Sequence, residues 1–353
     1  MAERLLFTCA QMRHFSHIDN FFIGALPVGL TTGMRAALYK RTGTALDVLE
    51  LVDCEVPVPG QGEVLVKLAF SGINPTDVKS RGGNVAMSFT DFQVPHHDGA
   101  GVIDAVGEGV DPNRIGERVW VMLAVKGNRF GTAAEFCLVA SEFARTLPNS
   151  ISLELAATLG VPAVTAAYCL FGDGPITGQS ILVSGGAGAV GRAAVQLATW
   201  GGARVLTTVS SQSKAQVARD AGAEFVVNYK DPGAVDQLKG RGISRIVEVN
   251  LADNLELDLA ISLPGMKIVS YAADGDDPVI PRRALMTACI TIEFMLLYNV
   301  MNEKFWAAVQ HVEQALSDGA LTMPPVSYFP LDEIVAAHES VEAGSSERVL
   351  IRI

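Results

Sequence analysis

The chain has 353 residues, 49% of them hydrophobic, with 34 glycines and a net charge of −11. That length exceeds what one core usually organises, so two domains are expected, and the composition excludes a disordered or fibrous chain. The acidic balance argues against nucleic acid or an anionic membrane as the main partner, while five scattered cysteines without a Cys-x-x-Cys pair exclude a four-cysteine zinc site and suit a reducing, cytoplasmic compartment.

Residues 1–33 stand apart, with an apolar run at 21–30 broken by Gly24 and Pro27 and no clear cleavage pattern. They read as an N-terminal extension and are expected to be poorly ordered. The first strand is expected to start at Met34. From there to about residue 158, short strands alternate with turns. Val64, Val66, Leu68 and Phe70 alternate before the turn Gly72-Ile73-Asn74-Pro75, and further strands are expected at 101–106, 118–122 and 133–139. Such a run predicts a small, irregular β-barrel. His96 and His97 read as a polar turn entering a strand at 99–106. Lys79 and Arg81 suit a surface loop as well as a site. The apolar region 151–171 contains Glu154 and Pro162, so no membrane span is expected there.

After Thr177-Gly178 the pattern changes. Residues 181–183 form an apolar strand that runs into Gly186-x-Gly188-x-x-Gly191, and Val190, Ala193, Ala194, Leu197 and Ala198 follow at helical spacing. Strand, glycine turn and helix in that order form the phosphate-cradling unit of a dinucleotide-binding fold. The next strand, 204–209, ends in Ser210 and Ser211, with Lys214 three residues on, and no carboxylate occurs between Gly191 and Asp220. A ribose 2′-OH is usually bound by an acid in that interval. Hydroxyls and an ammonium instead suit a 2′-phosphate, which favours NADPH over NADH. Strands at 181–183, 205–209, 225–227, 246–249, 268–271 and 290–294 alternate with helices, including 213–221 and 254–262, and predict a doubly wound parallel sheet. A helix at 304–316, Pro324-Pro325 and a final strand at 348–353 complete the chain. No G-x-S-x-G elbow and no G-x-x-x-x-G-K-[ST] loop is present.

Several segments together resemble the medium-chain dehydrogenase/reductase superfamily, in particular its zinc-free, zeta-crystallin-like quinone oxidoreductases. They are 72–77 (Gly-Ile-Asn-Pro-Thr-Asp), 98–102, 164–168, 185–196, 227–229 and 250–257. The resemblance spans Met34 to Ile353. It implies an α/β chain with a GroES-like β-barrel catalytic domain at 34–158, a Rossmann NADPH-binding domain at 159–300 and a return to the catalytic domain at 301–353. It also implies a homodimer or homotetramer acting on a small quinone or enone. Carried over by position, Gly188, Ala189, Val190 and Gly191 would meet the pyrophosphate. Ser210, Lys214 and Tyr229, with Ser211 beside them, would surround the 2′-phosphate. Tyr271, Ala272, Ala273, Asp274, Met295, Leu296 and Leu297 would line the nicotinamide side, and Asn74 and Thr165 would face the reacting centre.

Two positions depart from the pattern: Ala189 replaces a usual glycine, and Lys79 stands where these reductases tend to carry a tyrosine. In the zinc-dependent alcohol dehydrogenases of the superfamily a cysteine follows Gly72-Ile73, and here that position is Asn74. His97-Asp98 resembles their His-Glu pair but gives one ligand out of three, so no metal is expected. Without a metal, hydride can pass to an acceptor that is already electrophilic, such as a quinone or an α,β-unsaturated carbonyl. Asn74, with Lys79 or backbone N–H groups, would polarise its oxygen, and the proton would come from solvent. The alternatives are a zinc alcohol dehydrogenase and a non-catalytic NADPH-binding crystallin or RNA-associated protein.

Overall fold

Strand Glu63–Gly72 is the spine of the first lobe, and its alternation explains how it serves two cores. Val64, Val66 and Leu68 point into one apolar cluster, while Leu65, on the opposite face, joins another. The strand pairs antiparallel with Asp98–Val106, Phe136–Ala140 and Arg348–Arg352. The sheet runs Val326–Pro330, Arg348–Arg352, Glu63–Gly72, Asp98–Val106, Arg118–Val121, Ala144–Thr146, with Phe136–Ala140 laid beside the spine. Met34–Leu38 and Glu50–Cys54 form a separate antiparallel ribbon. In this computed structural model the described residues are 33–84, 91–273 and 275–353, and residues 33–353 form one compact unit. The expectation for the N-terminal extension therefore falls, apart from Gly33, outside the described residues, as does Asp274.

The second lobe is a six-stranded parallel sheet, as the alternating pattern predicts. Its order is Phe225–Asn228, Arg204–Val209, Ser180–Val183, Ile243–Glu248, Lys267–Ser270, Thr291–Phe294. Ile181, Leu182 and Val183 are all fully buried because helices cover both faces, with Leu182 on one side and its neighbours on the other. The chain winds outward from Ser180–Val183 in one direction and returns to wind the other way from Ile243–Glu248. The crevice beyond those two strand ends is where ligands bind in such sheets. Helices Gly160–Phe171 and Ala189–Trp200 pack together, and Glu303–Ser317 packs against the former. The buried stripe of Glu303–Ser317 is Phe305, Ala308, Val309, Val312, Ala315 and Leu316, at helical spacing.

Local chemistry explains one element that the turn at 72–75 conceals. Asn74 has extended backbone and starts the helix Pro75–Gly82, with Pro75 at its first position and an Asp77 side-chain oxygen accepting from the Asn74 N–H at 2.7 Å. Arg81, in that helix, is fully buried: it donates to the Gly43 carbonyl and pairs with Glu342, so it is a packing cation rather than a loop charge. His96 and His97 likewise depart from the expected polar turn. Both are buried, and His96 holds a left-handed φ of 78°.

Candidate active-site cleft

The glycine turn leaves Ser180–Val183 at Ser184. Gly185 has φ 71°, and the Gly188 N–H closes back on the Gly185 carbonyl at 2.9 Å. Gly188 then starts helix Ala189–Trp200 with no side-chain cap, so the first-turn donors point outward. Gly191 serves the turn from behind: a Cβ there would lie 2.2 Å from the Gly185 oxygen, and only glycine lets the helix sit this close. Together these features make an anion cradle of backbone N–H groups at the positive end of a helix.

The cradle opens into a cleft of about 710 Å³ between the lobes. Of the residues singled out from the sequence, Gly188, Ala189, Val190, Ser210, Lys214, Tyr229, Tyr271, Ala272, Ala273, Leu296, Leu297, Asn74, Lys79 and Thr165 line it together. Ser210, just past the strand end, and Lys214, in the first turn of the following helix, lie beside the cradle with Tyr229, which is 46% exposed. Ser211 is not a wall residue; its hydroxyl starts the helix Gln212–Asp220 by accepting from the Lys214 N–H. Met295 is buried behind the wall, where its N–H donates to the Ser270 carbonyl at 2.9 Å.

At the other end of the cleft, Asn74 is held by Asp98, the first residue of strand Asp98–Val106. Asn74 Nδ2 donates to Asp98 Oδ2 at 2.8 Å, while Asp98 Oδ1 accepts from the Val161 N–H at 2.9 Å, at the start of helix Gly160–Phe171. Arg348, from the last strand, lies 3.3 Å from the same Oδ2 and also donates to the Ile73 carbonyl. Asp98 thus ties the two lobes, the helix carrying Thr165 and the Asn74 amide to one point. Gly160 makes this possible, because a Cβ there would fall 2.1 Å from Asp98 Oδ1. Burial pushes the Asp98 carboxyl up to about 6, against the pull of Arg348 and of the bonds from Asn74 and Val161. Thr165 is 4% exposed and faces the cleft from the same helix. The His97-Asp98 pair was the signal available in the sequence for Asp98; Arg348 gave none beyond its place in a strand.

A hydrogen-bond chain lies beneath this point. The Thr132 hydroxyl donates to the Asp98 backbone carbonyl at 2.6 Å, so Ser71 must donate to Thr132 at 2.7 Å. Ser71 then accepts from His96 Nδ1 at 2.8 Å, which fixes that tautomer. The other ring nitrogen of His96 faces His338 Nε2 at 2.9 Å. Burial pushes both imidazoles down, His338 to about 3, so both are neutral and His338 Nε2 is the donor. Among the described residues, His338 Nδ1 and His97 Nδ1 have no partner.

A zinc shell needs three or four ligands. Here position 74 supplies an amide, both oxygens of Asp98 are engaged, and His97 stacks on Tyr298 at 4.7 Å between ring centres. Among the described residues no group of three His, Cys, Asp or Glu is placed to hold a metal ion.

Comparison with known proteins follows the same outline. Residues 60–149 match the alcohol dehydrogenase GroES-like domain, and residues 189–314 match the zinc-binding dehydrogenase family. The quinone oxidoreductase of Rattus norvegicus is 30% identical over 301 residues, which is 84% of this chain and 90% of that protein. A solved mycobacterial quinone oxidoreductase matches with a TM-score of 0.78 and 30% identity, over 91% of this chain and 100% of the other. A mycobacterial protein solved in complex with NADPH matches at 0.77 and 28% identity, again over 91% and 100%.

Proposed function

The chain belongs to the medium-chain dehydrogenase/reductase superfamily, and we propose that it is a zinc-independent oxidoreductase passing hydride from NADPH to a quinone or an α,β-unsaturated carbonyl. The observation that carries this is one cleft holding both the uncapped glycine-turn helix and the Asn74 amide locked on Asp98. The donor set also supports work without a metal, since Asp98 is already committed to Val161, Asn74 and Arg348.

NADPH supplies the hydride when bound. The N–H groups at Ala189 and Val190 would hold its pyrophosphate, with Gly188 leaving room for its approach, and Ser210, Lys214 and Tyr229 would receive the 2′-phosphate, where a carboxylate would repel it. Tyr271, Ala272, Ala273, Leu296 and Leu297 form an apolar wall that keeps water from the reacting face. One Asn74 amide proton is spent on Asp98, and the second is available to an acceptor oxygen. Thr165 and Lys79 complete the polar rim. Simple ketones demand more oxyanion stabilisation than this set provides, so activated acceptors fit best.

Within this reading the domain limits are 34–158, 159–300 and 301–353, and the protein is a cytoplasmic homo-oligomer. Thr291–Phe294 supports the oligomer. It ends the parallel sheet with no further strand beside it among the described residues, and Phe294 is 64% exposed. Among the described residues no helix is long and apolar enough to cross a membrane. The test is NADPH oxidation against a panel of quinones, enones and alcohols, with and without a strong chelator. Turnover of quinones or enones that the chelator leaves unchanged is expected. Alcohol oxidation that zinc restores after chelation would overturn the proposal.

A further inference from the structure

Asn74 offers a substrate oxygen a single proton, because its other amide proton is held by Asp98 at 2.8 Å. An oxyanion site built on one neutral donor is weak, and the cleft wall carries another side-chain donor. Tyr298 follows the edge strand in the short turn Leu297–Asn299 and lines the cleft beside Asn74, Thr76 and Lys79. It is fixed from three sides by the opposite lobe. Its ring lies 4.7 Å from that of His97 at 32°, Lys126 Nζ donates to its backbone carbonyl, and Thr76 shares its stretch of cleft wall, where the Thr76 side chain acts on the phenol.

We propose that Tyr298 is the second oxyanion donor of this site, its phenol O–H holding the acceptor oxygen opposite Asn74. This role rests on the reductase reading above. In it, the Thr76 hydroxyl donates to the phenol oxygen, which leaves the phenol proton for the substrate. When an enone is reduced, its β-carbon gains the new C–H bond with the hydride received from NADPH. The C=C pair becomes the double bond of an enolate as the carbonyl pair moves onto oxygen, and the enolate then takes a proton from water at its α-carbon, which restores the carbonyl. Tyr298 ends the cycle unchanged. Burial, with Asp77 nearby, pushes its phenol well above the ordinary tyrosine range, so it stays protonated and donates without surrendering its proton. Three anchors from one lobe on a residue of the other also place the donor with little freedom, which is what stabilisation of a developing charge needs.

Tyr298→Phe tests this, since it keeps the ring against His97 and the carbonyl on Lys126 and removes only the hydroxyl. With the quinone or enone that the wild type turns over best, kcat is expected to fall about a hundredfold while the affinity for NADPH stays within a few-fold. Binding of 4-nitrophenolate, an oxyanion mimic read by its visible absorbance, is expected to weaken about tenfold, the worth of one charge-assisted hydrogen bond. Thr76→Val leaves the tyrosine in place and should lower kcat in the same direction, a second measurement if the first variant folds poorly. Unchanged kcat and unchanged nitrophenolate binding in both variants would overturn the assignment. A wild type that reduces no quinone or enone would instead overturn the reductase reading, and nitrophenolate binding would still judge the donor.

Discussion

Replacing Asp98 by Asn changes one atom and one charge, and the structure sets how much that costs. The carboxylate accepts on both oxygens, from Val161 N–H on Oδ1 and from Asn74 and Arg348 on Oδ2. An amide has one acceptor oxygen. If that oxygen serves Val161, the new NH2 faces the Asn74 NH2 and a guanidinium, and Arg348, 7% exposed, is left buried without a counter-charge. Removing one partner of a buried ion pair costs ~3–5 kcal/mol. Urea unfolding followed by tryptophan fluorescence reports it well, because Trp120 is fully buried on the strand paired with Asp98–Val106. The second arm adds Arg348→Met. Once the orphaned cation is gone, the double variant should be more stable than the sum of the single losses by roughly 1–3 kcal/mol. A loss below about 1 kcal/mol for Asp98→Asn, or strict additivity with Arg348→Met, would refute this account of the junction.

Three further outcomes are expected. Lys214→Glu should weaken NADPH by roughly 10–100-fold while barely changing NADH, the size of one charge-assisted bond to the 2′-phosphate, and equal losses for the two cofactors would argue against that contact. Asn74→Ala should lower kcat about a hundredfold on the best acceptor with NADPH affinity nearly unchanged, measured by stopped-flow and fluorescence titration; near wild-type turnover would remove Asn74 from the site. Burial above all, with Asp98 nearby, pushes the Asp77 carboxyl up to about 8 against bonds from the Asn74 and His97 backbone. The folded chain therefore keeps a proton that the unfolded chain releases near pH ~3.9, and this stability is complete below that value and lost as pH rises through 8. Asp77→Asn should flatten the fall in unfolding free energy across about pH 4–8, and an unaltered slope would assign that fall to other groups.

What could be read from the sequence is local. The glycine turn, its helix and the six parallel strands all lie within short windows where apolar periodicity and glycine chemistry act directly, and the structure places them as expected, with ends shifted by a few residues. The cradle residues and Asn74 were legible for the same reason. Asp98 was not, since its role depends on Val161 and Arg348, 63 and 250 positions away. Arg81 misled in the opposite direction. Arginines are mostly exposed, and nothing near residue 81 announces that Glu342 and the Gly43 carbonyl will cover it. Tyr298 carried no signal of its own in the sequence, since His97 and Lys126, which hold it, lie some two hundred positions earlier in the chain.

The chain from His338 through His96, Ser71 and Thr132 to the Asp98 carbonyl has a polarity that bears on proton traffic. Every donor in it points the same way, and it stops at a peptide oxygen that has no proton to hand on. A proton entering at His338 could hop no further than Thr132, so the row cannot conduct; it behaves as an insulator of aligned dipoles. Its aligned hydroxyl and imidazole dipoles set a fixed field beneath the carboxylate that orients Asn74, and turning any one of the four would break its neighbours' bonds as well. The orientation of the row under the reacting centre is therefore built in when the chain folds.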